Sequence, residues 1–431
     1  MFERSNITFE RPPPDHFMSY AENHTKRCAP ATPLSAAADR ALHQFRAHTG
    51  ATALGDVTGA QLLMERAWLA EFRFASGRSA GGHCRLLATA DRTIAIHLAR
   101  PSDWESIPAW LEVQDDRRWC WSSLADALRR RSATGLMERA RLLGLAAAEV
   151  DAPMPQTPLA RYFHFHGPAI GAASRSTEPV RARPLVVDLS ALWAGPLCSH
   201  LLGLAGADVV KVESLNRPDG ARLGCLPFYR LLNQGKRCVG LDLPGHAARH
   251  VLRELIGHAD IVIESSRPRA LRQLGIEPEA RCAERPDLTW ISITGYGRGE
   301  PQANWIAFGD DAGAAAGLSE LMRKATGRYE FVGDAIADPL TGIHAALAAW
   351  TSWRSGGSRL ISLALAEVAA AALAEESASL GARQLERVCA AWWADVQQPQ
   401  RSPSAMRTSR EPVGALGEHT DVVLAELGIS C

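Results

Sequence analysis

The residues best suited to chemistry lie in Val332-Gly333-Asp334-Ala335-Ile336-Ala337-Asp338-Pro339-Leu340-Thr341-Gly342-Ile343-His344, a carboxylate-bearing turn that runs into an alanine-rich segment. Asp338 is the candidate catalytic residue. Because it precedes Pro339, its backbone is pushed towards extended geometry, while the φ of proline suits a first helical position. The spacing therefore predicts Asp338 as the N-cap of a helix, its carboxylate beside unpaired backbone N–H groups and the positive end of the helix dipole. That setting favours the ionised form, and an ionised carboxylate is what attack on an acyl carbon requires. Aspartate before proline at a helix start is most often only a cap, so the elements around the turn must decide.

Those elements change in texture at Pro184. Leu185-Val186-Val187-Asp188-Leu189 reads as a short apolar strand, Ala194-Gly195-Pro196 as a turn, Leu197 to Leu204 as a helix, and Asp208 to Glu213 as a second strand. Further strands are expected at Val239 to Leu243, Ile261 to Glu264 and Trp290 to Ile293, with helices between. Continuous apolar strands alternating with helices predict a parallel sheet covered on both faces, hence an α/β fold with a Rossmann-like, doubly wound core over residues 184–380. The apolar run from Leu363 to Ala374 reads as a buried helix. Before the core, helical spacing from Ala36 to Phe74, a glycine loop at Gly81-Gly82, a hairpin turning at Asp91-Arg92, helices containing Trp110 and Trp121, and a closing strand at Gly144 to Val150 predict a smaller α+β domain over 36–152. Residues 1–35 read as a loosely ordered arm, 153–183 as a proline-containing linker, and 381–431 as a C-terminal segment returning to the core.

Ligands of such sheets bind beyond the carboxyl ends of the strands. Neither a dinucleotide fingerprint nor a P-loop is present there, but Arg217, Arg222, Arg267, Arg269, Arg272 and Arg298 collect at those ends. Arginine forks match phosphate, so several at successive strand ends point to a phosphate-bearing ligand. With 47 basic and 47 acidic residues the chain offers no electrostatic case for a nucleic acid or membrane partner. Its nine cysteines show no CxxC pair, which suggests reduced thiols and a cytoplasmic protein; no metal is expected, His164 and His166 lacking further ligands at suitable spacing.

The order of these segments resembles the class III CoA-transferases, the family that includes formyl-CoA transferase, carnitine CoA-transferase and α-methylacyl-CoA racemase. Five segments carry the resemblance: Val187-Asp188-Leu189 through Ala194-Gly195-Pro196 to Glu213; Asn233-Gln234-Gly235-Lys236-Arg237 with Leu241-Asp242-Leu243; Asp260 to Pro268 with Leu274-Gly275; Ser292 to Gly297; and Gly333 to Gly342. The resemblance implies a coenzyme A thioester as substrate with no permanently bound cofactor, a free carboxylic acid as second substrate, and an interlocked homodimer. It implies Asp338 as a nucleophile that forms a mixed anhydride, CoA held by Ala194, Gly195, Pro196, Ser265, Ser266, Arg222, Arg267 and Arg272, and Gly81-Gly82 as a loop over the acyl site. The small domain stands before the core here, an order rearranged relative to the family. Racemase relatives place a histidine beside Asp310 in the segment Phe308-Gly309-Asp310-Asp311, where this chain has none. That favours transfer over racemisation, with Asp310, Asp334 and His344 as possible acid/base groups. A non-catalytic acyl-CoA-binding homologue is the third reading.

Overall fold

A computed structural model describes residues 31–114, 117–151, 163–166, 182–357, 359–398 and 406–430. Residues 1–30 of the proposed arm and most of the expected linker lie outside these residues; the arm's last residues, Thr32, Leu34 and Ser35, are buried, and Ser35 begins a helix. Cys84–Ala88 (β1), Thr93–His97 (β2) and Ala146–Glu149 (β3) form a small antiparallel sheet in the order β1-β2-β3. The larger sheet contains His164–His166 (β4), Leu185–Asp188 (β5), Asp208–Ser214 (β6), Arg237–Leu241 (β7), Ile261–Glu264 (β8), Thr289–Thr294 (β9) and Arg359–Ala364 (β10), ordered β4-β10-β9-β8-β5-β6-β7. All pairings but β4 with β10 are parallel. Counted from β5, the six parallel strands run 3-2-1-4-5-6 across the sheet, the doubly wound order in which chain direction switches between β5 and β8.

Alternation along each strand builds two cores. Val186, Ile261, Ile263, Ile291, Ile293, Ile361 and Leu363 face the helices Ala194–Leu204 and Ala337–Arg354. Their neighbours Leu185, Val187, Val262, Trp290 and Leu360 face the helix His246–His258, where Val423 and Leu424 of the helix Thr420–Glu426 also bury. This is the period-2 consequence of strands covered on both sides.

Three expectations are corrected. The run Leu363 to Ala374 is divided: β10 takes its first two residues, and the helix Leu365–Leu380 begins immediately after it. A short apolar run does not by itself distinguish strand from helix. Part of the expected linker is ordered as β4, which pairs with the edge of β10. The segment 36–74, grouped by sequence with the small domain, packs elsewhere: helices Ser35–Thr49 and Gly59–Leu69 bury Leu42, Phe45, Leu62, Leu63 and Met64 in the same cluster as Leu340 and Ile343. Only the small sheet and the helices between residues 101 and 143 form a separate cluster, around Trp110, Leu124 and Leu136. The opposite face of that sheet, with Ala95 and Ala148, meets Ala314 of the helix Gly309–Ala315.

Candidate active site

The turn that carries Asp338 is built on left-handed backbone. Gly333 (φ 67) and Ala335 (φ 43) reverse the chain before the helix Ala337–Arg354. Only glycine takes such a φ freely, so Ala335 stores local strain. Its amide donates to Asp310 Oδ1 at 2.9 Å, and its carbonyl accepts from the Asp338 amide at 2.8 Å. Close approach fixes the facing element: a Cβ on Gly309 would lie 2.1 Å from the Ala335 carbonyl oxygen and 2.5 Å from Asp338 Oδ2. Glycine lets the two helix starts touch, and the Gly309 amide donates to Asp338 Oδ2 at 3.0 Å.

Asp338 therefore does not cap its own helix. Ile336 occupies the N-cap position and makes no side-chain cap; Asp338 sits one residue inside and caps the neighbouring helix at Gly309. The expected preference for ionisation is also overturned. Burial pushes the carboxyl up to about 6, against the pull of Arg66 and of the Gly309 N–H. Loss of water outweighs a helix dipole worth about 1 kcal/mol.

Three further carboxyls crowd the same place. Asp310 is 5% exposed, and burial followed by the charge of Asp334 pushes it up to about 7. Asp311 is fully buried, caps Phe308 from the third position of its helix, and is raised well above the carboxylate range by burial. Asp334 is fully buried and is gripped at two points by Arg66, Nε to Oδ2 at 2.8 Å and Nη2 to Oδ1 at 2.5 Å. Asp338 alone of the four retains solvent-accessible surface beyond the buried class, although it is set deep among packed groups.

Arg66 and His97 escaped the sequence reading. Arg66 projects from the helix Gly59–Leu69, whose start is fixed by a capping box between Thr58 and Gln61. Its guanidinium lies 4.6 Å over the Trp193 ring, and a Cβ on Gly81 would be 3.9 Å from its Nη2. The Gly81-Gly82 loop is thus brought to the carboxylate cluster through Arg66, with Gly82 at φ 79 completing the turn. His97 ends β2, two residues beyond Ala95 and so on the sheet face that meets the core. Its ring stacks on Phe308 at 4.3 Å, and its Nδ1 lies 3.9 Å from Asp311 Oδ1 without a hydrogen-bond partner. Burial, then His83, Arg66 and Arg100, hold it down at about 3, a neutral imidazole. Neither residue had a local signal; a lone arginine or histidine in an amphipathic element acquires a role only through its neighbours.

His344 is corrected by helix geometry. Six residues past Asp338 it is about 9 Å further along the axis and turned away by about a third of a revolution. Buried, with its ring 6.4 Å from Phe163, it is lowered to about 4 and stays neutral.

The proposed CoA contacts divide. Ser265 Oγ accepts the Ala191 amide at 3.3 Å, joining the loops after β5 and β8 where the sheet switches direction. Arg267, at the start of the helix Pro268–Gln273, is lowered by burial and then by Arg269, Arg100 and Arg217, which marks a convergence of positive charge. Ser266 is tied through its amide to Glu264 Oε2 at 2.7 Å. By contrast Ala194, Gly195 and Pro196 are buried: a Cβ on Gly342 would fall 2.7 Å from the Ala194 carbonyl oxygen, so this turn packs on the helix Ala337–Arg354 rather than opening a cradle. Arg222 spends its fork on Glu213, with contacts from 2.6 to 3.2 Å. Arg272 pairs with Glu277 at 3.3 Å, and Arg298, 3% exposed, is held by Glu264 and Glu279. Strand-end arginines looked alike in sequence, yet the tertiary partners neutralise three of them.

The lysines of the two opening motifs are also internal. Lys211 Nζ donates to the Ser190 carbonyl at 2.9 Å and Asp219 at 3.0 Å; Lys236 Nζ donates to the Pro196 carbonyl at 2.9 Å and Asn233 at 3.0 Å. Together with buried Asp188 they fix the loop after β5. Among the described residues no His, Cys, Asp and Glu group could hold a metal ion.

The sequence profile described as CoA-transferase family III matches residues 184–389. Succinate–glutarate CoA-transferase of Agrobacterium fabrum is 30% identical over 220 residues, 46% of this chain and 55% of that protein. Formyl-CoA:oxalate CoA-transferase of a Bradyrhizobium species is 31% identical over 181 residues, 40% of this chain and 41% of that one. The crystal structure of Rv3272 from Mycobacterium tuberculosis is 27% identical, covering 44% of this chain and 54% of its own, with a TM-score of 0.40. The chain spans about half the length of the curated relatives it matches. Motif order, the doubly wound sheet and the profile agree that over residues 184–389 the chain is similar to CoA-transferase family III.

Proposed function

We propose that the chain moves CoA between an acyl-CoA and a free carboxylic acid, with Asp338 as the nucleophile. A carboxylate oxygen of Asp338 attacks the thioester carbonyl, the C–S bond breaks, and CoA leaves as the thiolate, giving an aspartyl mixed anhydride. The incoming carboxylate then attacks the aspartyl carbonyl of that anhydride, expelling the donor acid as its carboxylate and leaving a second mixed anhydride between Asp338 and the acceptor; CoA thiolate attacks the acceptor carbonyl, forming the new thioester and freeing the Asp338 carboxylate. The observation that carries this reading is the contrast among the four clustered aspartates, of which Asp338 is the least buried. Poor solvation leaves it a more reactive base than a surface carboxylate. CoA phosphates would be held by Arg267 with Arg269, Arg217 and Arg100. A cytoplasmic homodimer is the form we propose for it, on the family resemblance.

The test is intact-protein mass spectrometry after incubation with a panel of acyl-CoAs, with hydroxylamine trapping and an Asp338→Ala control. Trapping at Asp338 supports the anhydride route. CoA binding without any adduct across the panel overturns it.

One observation favours a second reading. His97 supplies an imidazole against Phe308, beside the segment in which the sequence lacks one. Racemisation needs an acid and a base on opposite faces of an α-carbon. Deuterium uptake at the α-carbon of a chiral acyl-CoA, lost in His97→Ala and unaccompanied by CoA transfer, would favour that reading over transfer.

A further inference from the structure

The ion pair between Arg66 and Asp334 joins two parts of the chain that the family domain does not unite, since Arg66 lies outside residues 184–389. We propose that Arg66 is a positioning residue of the acyl-transfer site: by gripping Asp334 at two points beside the nucleophile, it removes a competing negative charge and leaves Asp338 free to ionise and attack. The inference rests on the transferase reading of Asp338.

The geometry is specific. Asp334 precedes Asp338 by one turn, is fully buried, and has both oxygens on the Arg66 fork. A buried carboxylate without a counterion would share its proton economy with the nearest carboxyl, so that the second of the two resists ionisation. Arg66 is the cation in this group. The other titratable groups facing it are Asp310 and Asp311 on the helix Gly309–Ala315, His97 on β2 and Cys84 on β1; burial keeps His97 neutral and raises the thiol. Arg66 also keeps 27% of its side chain exposed while lying between the Gly81 loop and the Trp193 ring.

The experiment measures the rate of aspartyl adduct formation against pH in the full chain and in Arg66→Gln, Arg66→Lys, Asp334→Asn and the double variant Arg66→Gln/Asp334→Asn. In the unaltered chain the rate should rise with a midpoint near the value of about 6 held by Asp338. Arg66→Gln should move the midpoint up by at least one pH unit, a loss of about fivefold or more in rate at pH 6. Arg66→Lys, which keeps the charge, should stay within about half a unit. Removing both partners should return the midpoint towards the starting value, whereas Asp334→Asn alone, leaving an unopposed guanidinium, should lower it. A loss of rate in Arg66→Gln with an unchanged midpoint, or a double variant that behaves like the single one, overturns the proposal. Should Arg66→Gln fail to fold, the Asp334→Asn and double variants decide, because neither leaves a buried carboxylate unpaired. Infrared difference spectra of the Asp338 carboxyl band against pH, taken as each protein minus its Asp338→Asn counterpart, report the same midpoints without turnover. Absence of an adduct in the unaltered chain therefore sinks the transferase reading, while unmoved infrared midpoints sink the role of Arg66.

Discussion

Replacing Asp338 by asparagine should destroy transfer and, at neutral pH, stabilise the fold. The carboxyl is held from its ordinary 3.8 up to about 6, chiefly by burial. At 1.36 kcal/mol per pH unit that is about 3 kcal/mol of ionisation free energy withheld by the folded state. Partial exposure of the side chain reduces the figure, so about 1–2 kcal/mol is the expected gain. The sign follows from the direction. Because the folded value lies above the ordinary one, the stability Asp338 contributes is complete below about pH 4 and is lost as the pH rises through about 6. Asparagine does not titrate, and its Oδ1 can still accept the Gly309 amide. The two proteins should therefore be nearly equal in urea unfolding free energy at pH 4 and diverge by pH 7.5, with the variant the more stable. A difference that is the same at both pH values, or a variant less stable at pH 7.5, would refute the claim that the fold holds a reactive carboxylate against its preference.

Other substitutions probe the frame. Arg407 ties the C-terminal segment to the helix that carries Arg66, through contacts of 2.7 to 3.0 Å with buried Glu65. Arg407→Ala leaves that carboxylate unpaired and should cost about 3–5 kcal/mol in denaturant unfolding. Gly309→Ala drives a Cβ into the Ala335 carbonyl and the Asp338 carboxylate; it should cut transfer by about a hundredfold through a displacement on the order of 1 Å, and normal turnover would contradict the geometry. Arg267→Ala should raise the KM for acyl-CoA by about tenfold, as expected for one charge-assisted contact. Arg222→Ala should leave that KM unchanged and lower stability instead, because its partner is Glu213; the reverse pattern would return Arg222 to the CoA site.

The amino-acid sequence alone carried the doubly wound core and the identity of the candidate nucleophile. Strands such as Leu185–Asp188 and Ile261–Glu264 are apolar on both faces, and that pattern is local. Asp338 was found because proline and glycine mark its turn within a motif of the family. Chain order could also be read for the hairpin of the small sheet, since alternation from Thr93 to His97 survives without its partners. What the residues meet across space could not be read. Arg222, Arg272 and Arg298 resemble phosphate ligands until Glu213, Glu277, Glu264 and Glu279 are seen to take them. Arg66 looks like one more charge on an amphipathic helix until the fold carries it 268 residues along the chain to Asp334. The ionisation of Asp338 depends on the same long-range assembly: the local sequence supplies a helix start that favours the charged form, whereas tertiary burial removes the water and reverses the preference.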